Sequence, residues 1–167
     1  MITTIDEFLA VWQYETAVTQ RMLDTLSDAS LAQSVAADHR TIGRLAWHIV
    51  QTIPEMMAHT GLQVAGPGET DAVPGQAATI ADAYRVAAAS LAEQLRANWT
   101  DATLLQTDKL YGEEWSRART LGVLLSHQTH HRGQLTVLMR QAGLVVPGAY
   151  GPAREDWAGM GMESPAI

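Results

Sequence analysis

Apolar residues recur at helical spacing in four long stretches of this chain, separated by polar segments that carry glycine and proline. In the first, Phe8, Val11, Trp12, Met22 and Leu26 follow the 3.6-residue period and predict a helix over about 4–26, with a more polar middle. Thr3 or Thr4 can cap it, and Asp6 and Glu7 fall in the first turn, where the helix dipole favours acids. In the second, Leu45, His48, Ile49, Thr52, Ile53 and Met56 predict a helix over about 41–60, capped by Thr41 and stopped by Gly61. Pro54 lacks a backbone donor and predicts a kink or local opening there. The third stripe, Ile80, Tyr84, Ala87, Ala88, Leu91 and Leu95, predicts a helix over about 79–99. The fourth helix is expected from Ser116 or Thr120 to Ala142, ended by Gly143, and its centre is the amphipathic run LGVLLSHQTHHRGQLTVLM.

The connections are uneven. A mixed segment over 27–40 contains a short helical turn near 31–35. Residues 62–78 hold Gly66-Pro67-Gly68 and Pro74-Gly75 and read as a loop, the natural place for a rim or lid. Within 100–119, the KLYGEEWSRA portion suggests a short extended turn, and the tail suggests a Pro/Gly turn with a short helix near 153–157. No internal repeat or low-complexity segment stands out. The expectation is an all-α four-helix bundle with irregular connections and a short C-terminal helix, forming one domain over 1–167.

Composition narrows the function. The chain has 167 residues and a formal net charge of −7. No Lys/Arg cluster offers the electrostatic footprint of a nucleic-acid binder or a membrane-surface protein. No apolar run is long enough to span a bilayer, and the N-terminal stretch does not read as a secretion signal, so a cytoplasmic protein is expected. Cysteine is absent, which excludes disulfides, thiolate ligands and cysteine nucleophiles.

The chemistry concentrates in histidine. His127 and His131 lie four residues apart on the stripe of Leu124, Leu135 and Leu138, so both rings face other helices. Two imidazoles so placed can share one metal ion, and His48, on the inward stripe of the second helix, is the best third ligand. Three neutral imidazoles would bind Zn, Ni or Fe and leave positions open. The alternative is three core histidines bonded to backbone or hydroxyl groups. His130 projects about 100° from His131 and is expected outside the ligand set. His39 and His59 suit solvated or capping roles. Gly133 inside a helix suggests a close helix crossing, within the chain or across a dimer. Arg132 reads as solvated or ion-paired, and Gln134 as reaching a bound water or filling a packing gap. Glu55, Glu113 and Glu114 are the candidate bases. Trp12, Trp47, Trp115 and Trp157 read as core or pocket walls.

The run from His127 to Leu135, HQTHHRGQL, together with Arg44-Leu-Ala-Trp-His48-Ile upstream and Tyr150-Gly-Pro152 in the tail, resembles the DinB/YfiT-like metal-binding helical bundles. The resemblance covers nearly the whole chain. It implies an up-up-down-down bundle, commonly a homodimer, with a divalent metal on His48, His127 and His131. It also implies a thiol-dependent S-transferase or isomerase that uses a low-molecular-weight thiol such as bacillithiol or mycothiol on small electrophiles, in stress or detoxification. A metal-dependent hydrolase and a non-catalytic, stress-associated metal-binding dimer are the competing readings.

Overall fold

The computed structural model describes residues 2–166. Four long helices carry it: α1 (Ile5–Asp24), α2 (Ile42–Ala58), α3 (Ala77–Asn98) and α4 (Arg117–Gln141). A short α5 (Asp156–Gly159) lies three residues later than the tail pattern suggested. Helices α1 and α2 each pack on both α3 and α4, enclosing a core that includes Phe8, Met22, Ile49, Ile53, Tyr84, Leu91, Leu124 and Leu135. Thr4, Thr41 and Ser116 cap α1, α2 and α4 through their side-chain oxygens. Gly61 and Gly143 follow α2 and α4 with φ of 84° and 73°, the left-handed conformation in which glycine ends a helix without strain.

The fold is mostly helical, but not all-α. Strands β1 (Thr107–Leu110) and β2 (Glu113–Ser116) form an antiparallel hairpin in the register Leu110↔Glu113 and Asp108↔Trp115. Tyr111 and Gly112 both have positive φ, 51° and 85°, at the two central turn positions. That is the turn whose twist matches two paired strands. Leu110 and Trp115 point into the core. Four-residue strands are too short for a period-two pattern to register, so only the Tyr-Gly pair marked them. Helix α2 also corrects an expectation, running as continuous α-helix through Pro54 without opening.

A second correction concerns repetition. The octapeptide Ser27–Ser34, SDASLAQS, matches Thr100–Thr107, TDATLLQT, with identity at Asp, Ala, Leu and Gln and Ser/Thr exchange elsewhere except Ala32/Leu105. Each copy follows a long helix and opens a 3-10 turn, over Asp28–Ala32 and Asp101–Leu105. The contacts repeat as well. Ser27 N donates to Ser30 Oγ at 3.1 Å, and Thr100 N to Thr103 Oγ1 at 3.0 Å. Ile42 N donates to the Gln33 carbonyl at 2.8 Å, and Arg117 N to the Gln106 carbonyl at 2.9 Å. Ser34 bridges Thr41 in antiparallel fashion, as Thr107 pairs with Ser116. The chain is thus two helix–turn–bridge–helix halves. The repeat escapes a hydrophobic-pattern reading because it is polar and only eight residues long.

The halves cap each other. Ala77 N, at the start of α3, donates to Asp28 Oδ1 at 2.8 Å, and Ile5 N, at the start of α1, donates to Asp101 Oδ1 at 2.8 Å. This explains why α3 begins two residues before its own sequence suggests. Gln76 offers no cap, and the acceptor comes from a turn 49 residues away. Asp28→Ala and Asp101→Ala should each lower unfolding free energy by about 1 kcal/mol, and roughly additively, because the sites are separate. Urea denaturation of the two single variants and the double variant checks this; unchanged midpoints in both single variants would remove the reciprocal caps from the account.

Candidate metal centre

Helix α2 brings His48 opposite His127 and His131 on α4, and their nearest ligand atoms all lie within 4.8 Å of one another. His127 Nε2 and His131 Nε2 are 3.0 Å apart. The His48 ring centre is 5.0 Å from that of His127 and 4.7 Å from that of His131. In a tetrahedral site with metal–nitrogen bonds near 2.0–2.1 Å, ligand nitrogens stand roughly 3.3 Å apart, so small ring rotations bring these three to ligand spacing.

Protonation suits the same role. Burial first, then the Arg40 guanidinium and the neighbouring histidines, pull His48 down to about 3. Burial and His131 pull His127 down to about 4. Burial also lowers His131, against an opposing push from Gln134. All three rings are neutral near pH 7. His131 Nδ1 lies 2.7 Å from Gln134 Oε1. An amide oxygen only accepts, so Nδ1 carries the proton and Nε2 presents its lone pair to the cluster. Gln134 is therefore the orienting partner of a ring rather than a contact for bound water or a gap filler. His127 Nδ1 is buried with no partner. A ring held there at the cost of an unpaired nitrogen makes physical sense if Nε2 has a strong partner. The donor set fits a divalent ion and could hold one.

Two open clefts meet at these rings. One, of about 400 Å³, is largely apolar and is walled by Val35, Leu45, Val137 and Leu138 together with His131 and Gln134. The other, of about 390 Å³, is lined mainly by residues with polar ends and takes in His48 and His127 with Arg44, Gln51, Glu55 and Tyr111; we refer to it as the polar cleft. Arg40 borders both. Glu55 is the one expected base that reaches a cleft; its carboxylate accepts from Tyr111 OH at 3.1 and 2.9 Å. Glu113 and Glu114 sit exposed on β2, where Glu113 is engaged by Trp115 Nε1 at 2.7 Å and Arg119 Nη2 at 2.9 Å, and neither lines these clefts. The loop over 62–76 forms part of the rim through Glu69, and Gln51 Nε2 fastens it by donating to the carbonyls of Gly68, Glu69 and Asp71 at 2.7, 3.0 and 3.3 Å.

The other marked residues separate cleanly. His130 is exposed, its ring 4.9 Å from His131 and outside the three-histidine group. His59 is the C-cap of α2, and His39 is exposed with Nδ1 2.9 Å from the Ala37 carbonyl. Trp12, Trp47 and Trp115 are buried, while Trp157 is half-buried. A side chain at Gly133 would meet nothing within 4 Å, so no close crossing within the chain explains it. Arg132 is buried and ion-paired with Glu15 of α1. Sequence reasoning missed Glu15 and also Gln128. Gln128 is fully buried; it donates to the Ile49 carbonyl at 3.0 Å and accepts from Tyr84 OH at 3.2 Å, joining α4 to α2 and α3 beside the histidines.

Acid should release metal late. Because protons compete for His48 and His127 only well below the usual histidine range of about 6.5, bound metal should persist from pH 7 to about 5 and leave as pH nears 4. In the metal-free protein the folded-state values lie below the unfolded ones, so the unfolded chain takes protons first and stability falls as pH drops from about 6.5 towards 4. Equilibrium dialysis and melting across this range check both; metal release centred near pH 6.5 would contradict the burial argument.

The whole chain finds relatives. A model of the DinB family matches residues 1–165. The uncharacterised protein YrdA of Bacillus subtilis is 44% identical over 167 residues, covering 100% of both chains. The crystal structure of a DinB-like protein from Bacillus cereus is similar at a TM-score of 0.87 and 49% identity, over 90% of this chain and 100% of that one. That of the DinB-like YjoA from Bacillus subtilis shares the fold at a TM-score of 0.64 and 18% identity, over 82% of this chain and 92% of the other. No helix of the described residues is long and apolar enough to cross a membrane.

Proposed function

The chain belongs to the DinB family, and from that premise we propose that it is a divalent-metal-dependent enzyme that transfers or isomerises small electrophiles with a low-molecular-weight thiol. His48, His127 and His131 are the metal ligands. The observation that carries this reading is the meeting of three neutral, converging imidazoles with two clefts, of which only one is lined by carboxylates. Two clefts suit two small reactants. When bound, the divalent ion supplies positive charge that favours thiolate over thiol. Gln134 holds His131 in the ligating tautomer. Glu55, kept in the polar cleft by Tyr111, is the group placed to accept the thiol proton. The apolar cleft takes the carbon skeleton of the acceptor. Helices α1 and α2 each packing on α3 and α4 supports the up-up-down-down order. The homodimer that the family resemblance implies belongs to the same reading.

Glu55 also favours a second reading, a hydrolase in which that carboxylate orients an attacking water. One assay separates them. Tag-free protein loaded with Zn or Ni is mixed with a nitroaryl halide or a nitrophenyl ester, with and without mercaptopropionate. Transferase function predicts aryl thioether formation that needs both protein and thiol and is lost in His127→Ala. Ester cleavage without thiol would select the hydrolase. No turnover of either substrate by metal-loaded protein would favour the non-catalytic metal-binding reading.

A further inference from the structure

Three imidazoles are neutral ligands, so a divalent ion on them keeps its full double charge. The converging group includes no carboxylate to offset that charge. The cations that act on His48 are Arg40 and Arg44, both on the wall of its cleft. Arg40 acts on His127 and His131 as well. Neither arginine forms an ion pair among the described residues, although the chain as a whole is acidic. The carboxylates of the polar cleft are Glu55 and Glu69, and Glu55 already bonds Tyr111 and lies 3.5 Å from His59 Nε2.

Arg44 is also aimed. Its Nη1 donates to Gln51 Oε1 at 2.7 Å. Gln51 is 3% exposed, and its amide nitrogen is spent on the three loop carbonyls, so its oxygen has a fixed direction. The loop orients Gln51, and Gln51 orients the guanidinium along the cleft wall, leaving its other nitrogens for a ligand. Arg40, at the junction of the clefts, supplies a second fork. Paired guanidinia recognise planar or tetrahedral anions through two-pronged hydrogen bonds.

We propose that Arg40 and Arg44 form an anion subsite beside the three-histidine centre, so that this protein selects a ligand carrying a carboxylate or phosphate group on the same small molecule that places its donor atom at the centre. The inference rests on the metal-dependent reading above and deepens it by naming the chemistry of the ligand in the polar cleft. Gln51 is a positioning residue for Arg44.

Cobalt(II)-loaded protein tests it without any turnover. Mercaptopropionate, mercaptoethanol and cysteamine share a two-carbon spacer and differ in carrying a negative, neutral or positive end. Titrations read the sulfur-to-cobalt charge-transfer band. The subsite predicts that mercaptopropionate binds about tenfold more tightly than mercaptoethanol, with cysteamine weakest. Arg40→Gln and Arg44→Gln should each shrink the preference, and the double variant should erase it while retaining one cobalt per chain and native helicity. Equal affinity for the three thiols, or an unchanged order in the double variant, overturns the proposal while the metal reading stands. If cobalt binds but no thiol perturbs it, the thiol reading fails and inorganic phosphate, read on the cobalt d–d bands, decides the subsite. Binding weakened about tenfold in the double variant supports it, and binding absent or unchanged overturns it. Failure to bind cobalt at all removes the metal reading and the subsite together.

Discussion

Replacing His127 with leucine is expected to abolish stoichiometric divalent-metal binding and, in the metal-free state, to leave the protein at least as stable as the parent. The two halves of that result come from the same ring. His127 Nε2 stands 3.0 Å from His131 Nε2, so its removal leaves two imidazoles where a divalent ion needs three protein ligands in an open site. Its Nδ1 is buried with no partner, so the ring carries an unsatisfied polar group that only ligation through Nε2 can offset. An unpaired buried donor or acceptor costs about 1–3 kcal/mol, which an apolar side chain of similar size does not carry. With metal the order reverses. The parent gains about 2.7 kcal/mol when free metal stands at 100 times its dissociation constant, and the variant gains nothing. Metal content by elemental analysis and urea melts, with and without chelator, give the four values. A core histidine held for packing predicts the opposite pattern: a metal-free variant clearly less stable than the metal-free parent. That outcome would falsify the metal reading of this ring.

The four helices and the three histidines were legible because both follow local rules. A 3.6-residue stripe places side chains on one face, and i, i+4 spacing puts His127 above His131 without reference to the rest of the fold. His48 was legible because it interrupts an apolar stripe. What was not legible depends on partners distant in sequence. Asp28 and Asp101 look like ordinary turn acids until α3 and α1 arrive to be capped. Gln51 looks like a polar intrusion on α2 until the 62–76 loop folds onto it. Gln134 sits only three residues from His131, so its role could have been found from spacing alone. The hairpin showed only as a short extended turn because its strands have four residues each, and the repeat hid in polar positions that hydropathy patterns ignore.

Arg132 was legible as solvated or ion-paired but not as buried, and its loss should be the most destabilising single change in the protein. It follows His131 directly, yet it points the other way, into α1, and is only 2% exposed. Its Nη1 donates to the Glu15 carbonyl and to Thr19 Oγ1, both at 3.0 Å. Its Nη2 pairs with Glu15 Oε2 and contacts Tyr150 OH, with Thr129 Oγ1 at 3.3 Å. Tyr150 OH in turn donates to Glu15 Oε2 at 2.8 Å, which ties the C-terminal tail to the same pair. Two charges this deep are held in place by their mutual pairing and by full hydrogen bonding. Arg132→Met should therefore cost about 3–5 kcal/mol, because Glu15 stays behind as a buried carboxylate without its cation. Removing both charges as Glu15→Leu with Arg132→Met should recover most of that loss, because apolar replacement of an entire buried pair is close to neutral. The double-mutant cycle is read from urea midpoints at neutral pH. Additive losses would show that the two residues act separately, and a cost for Arg132→Met below about 1 kcal/mol would place the pair in solvent, against the burial seen here. The same cycle bears on the metal centre. Arg132 fixes the rotation of α4 against α1 one residue from His131, so Arg132→Met should also weaken metal binding, whereas the apolar double variant, with the helix again well packed, should restore it.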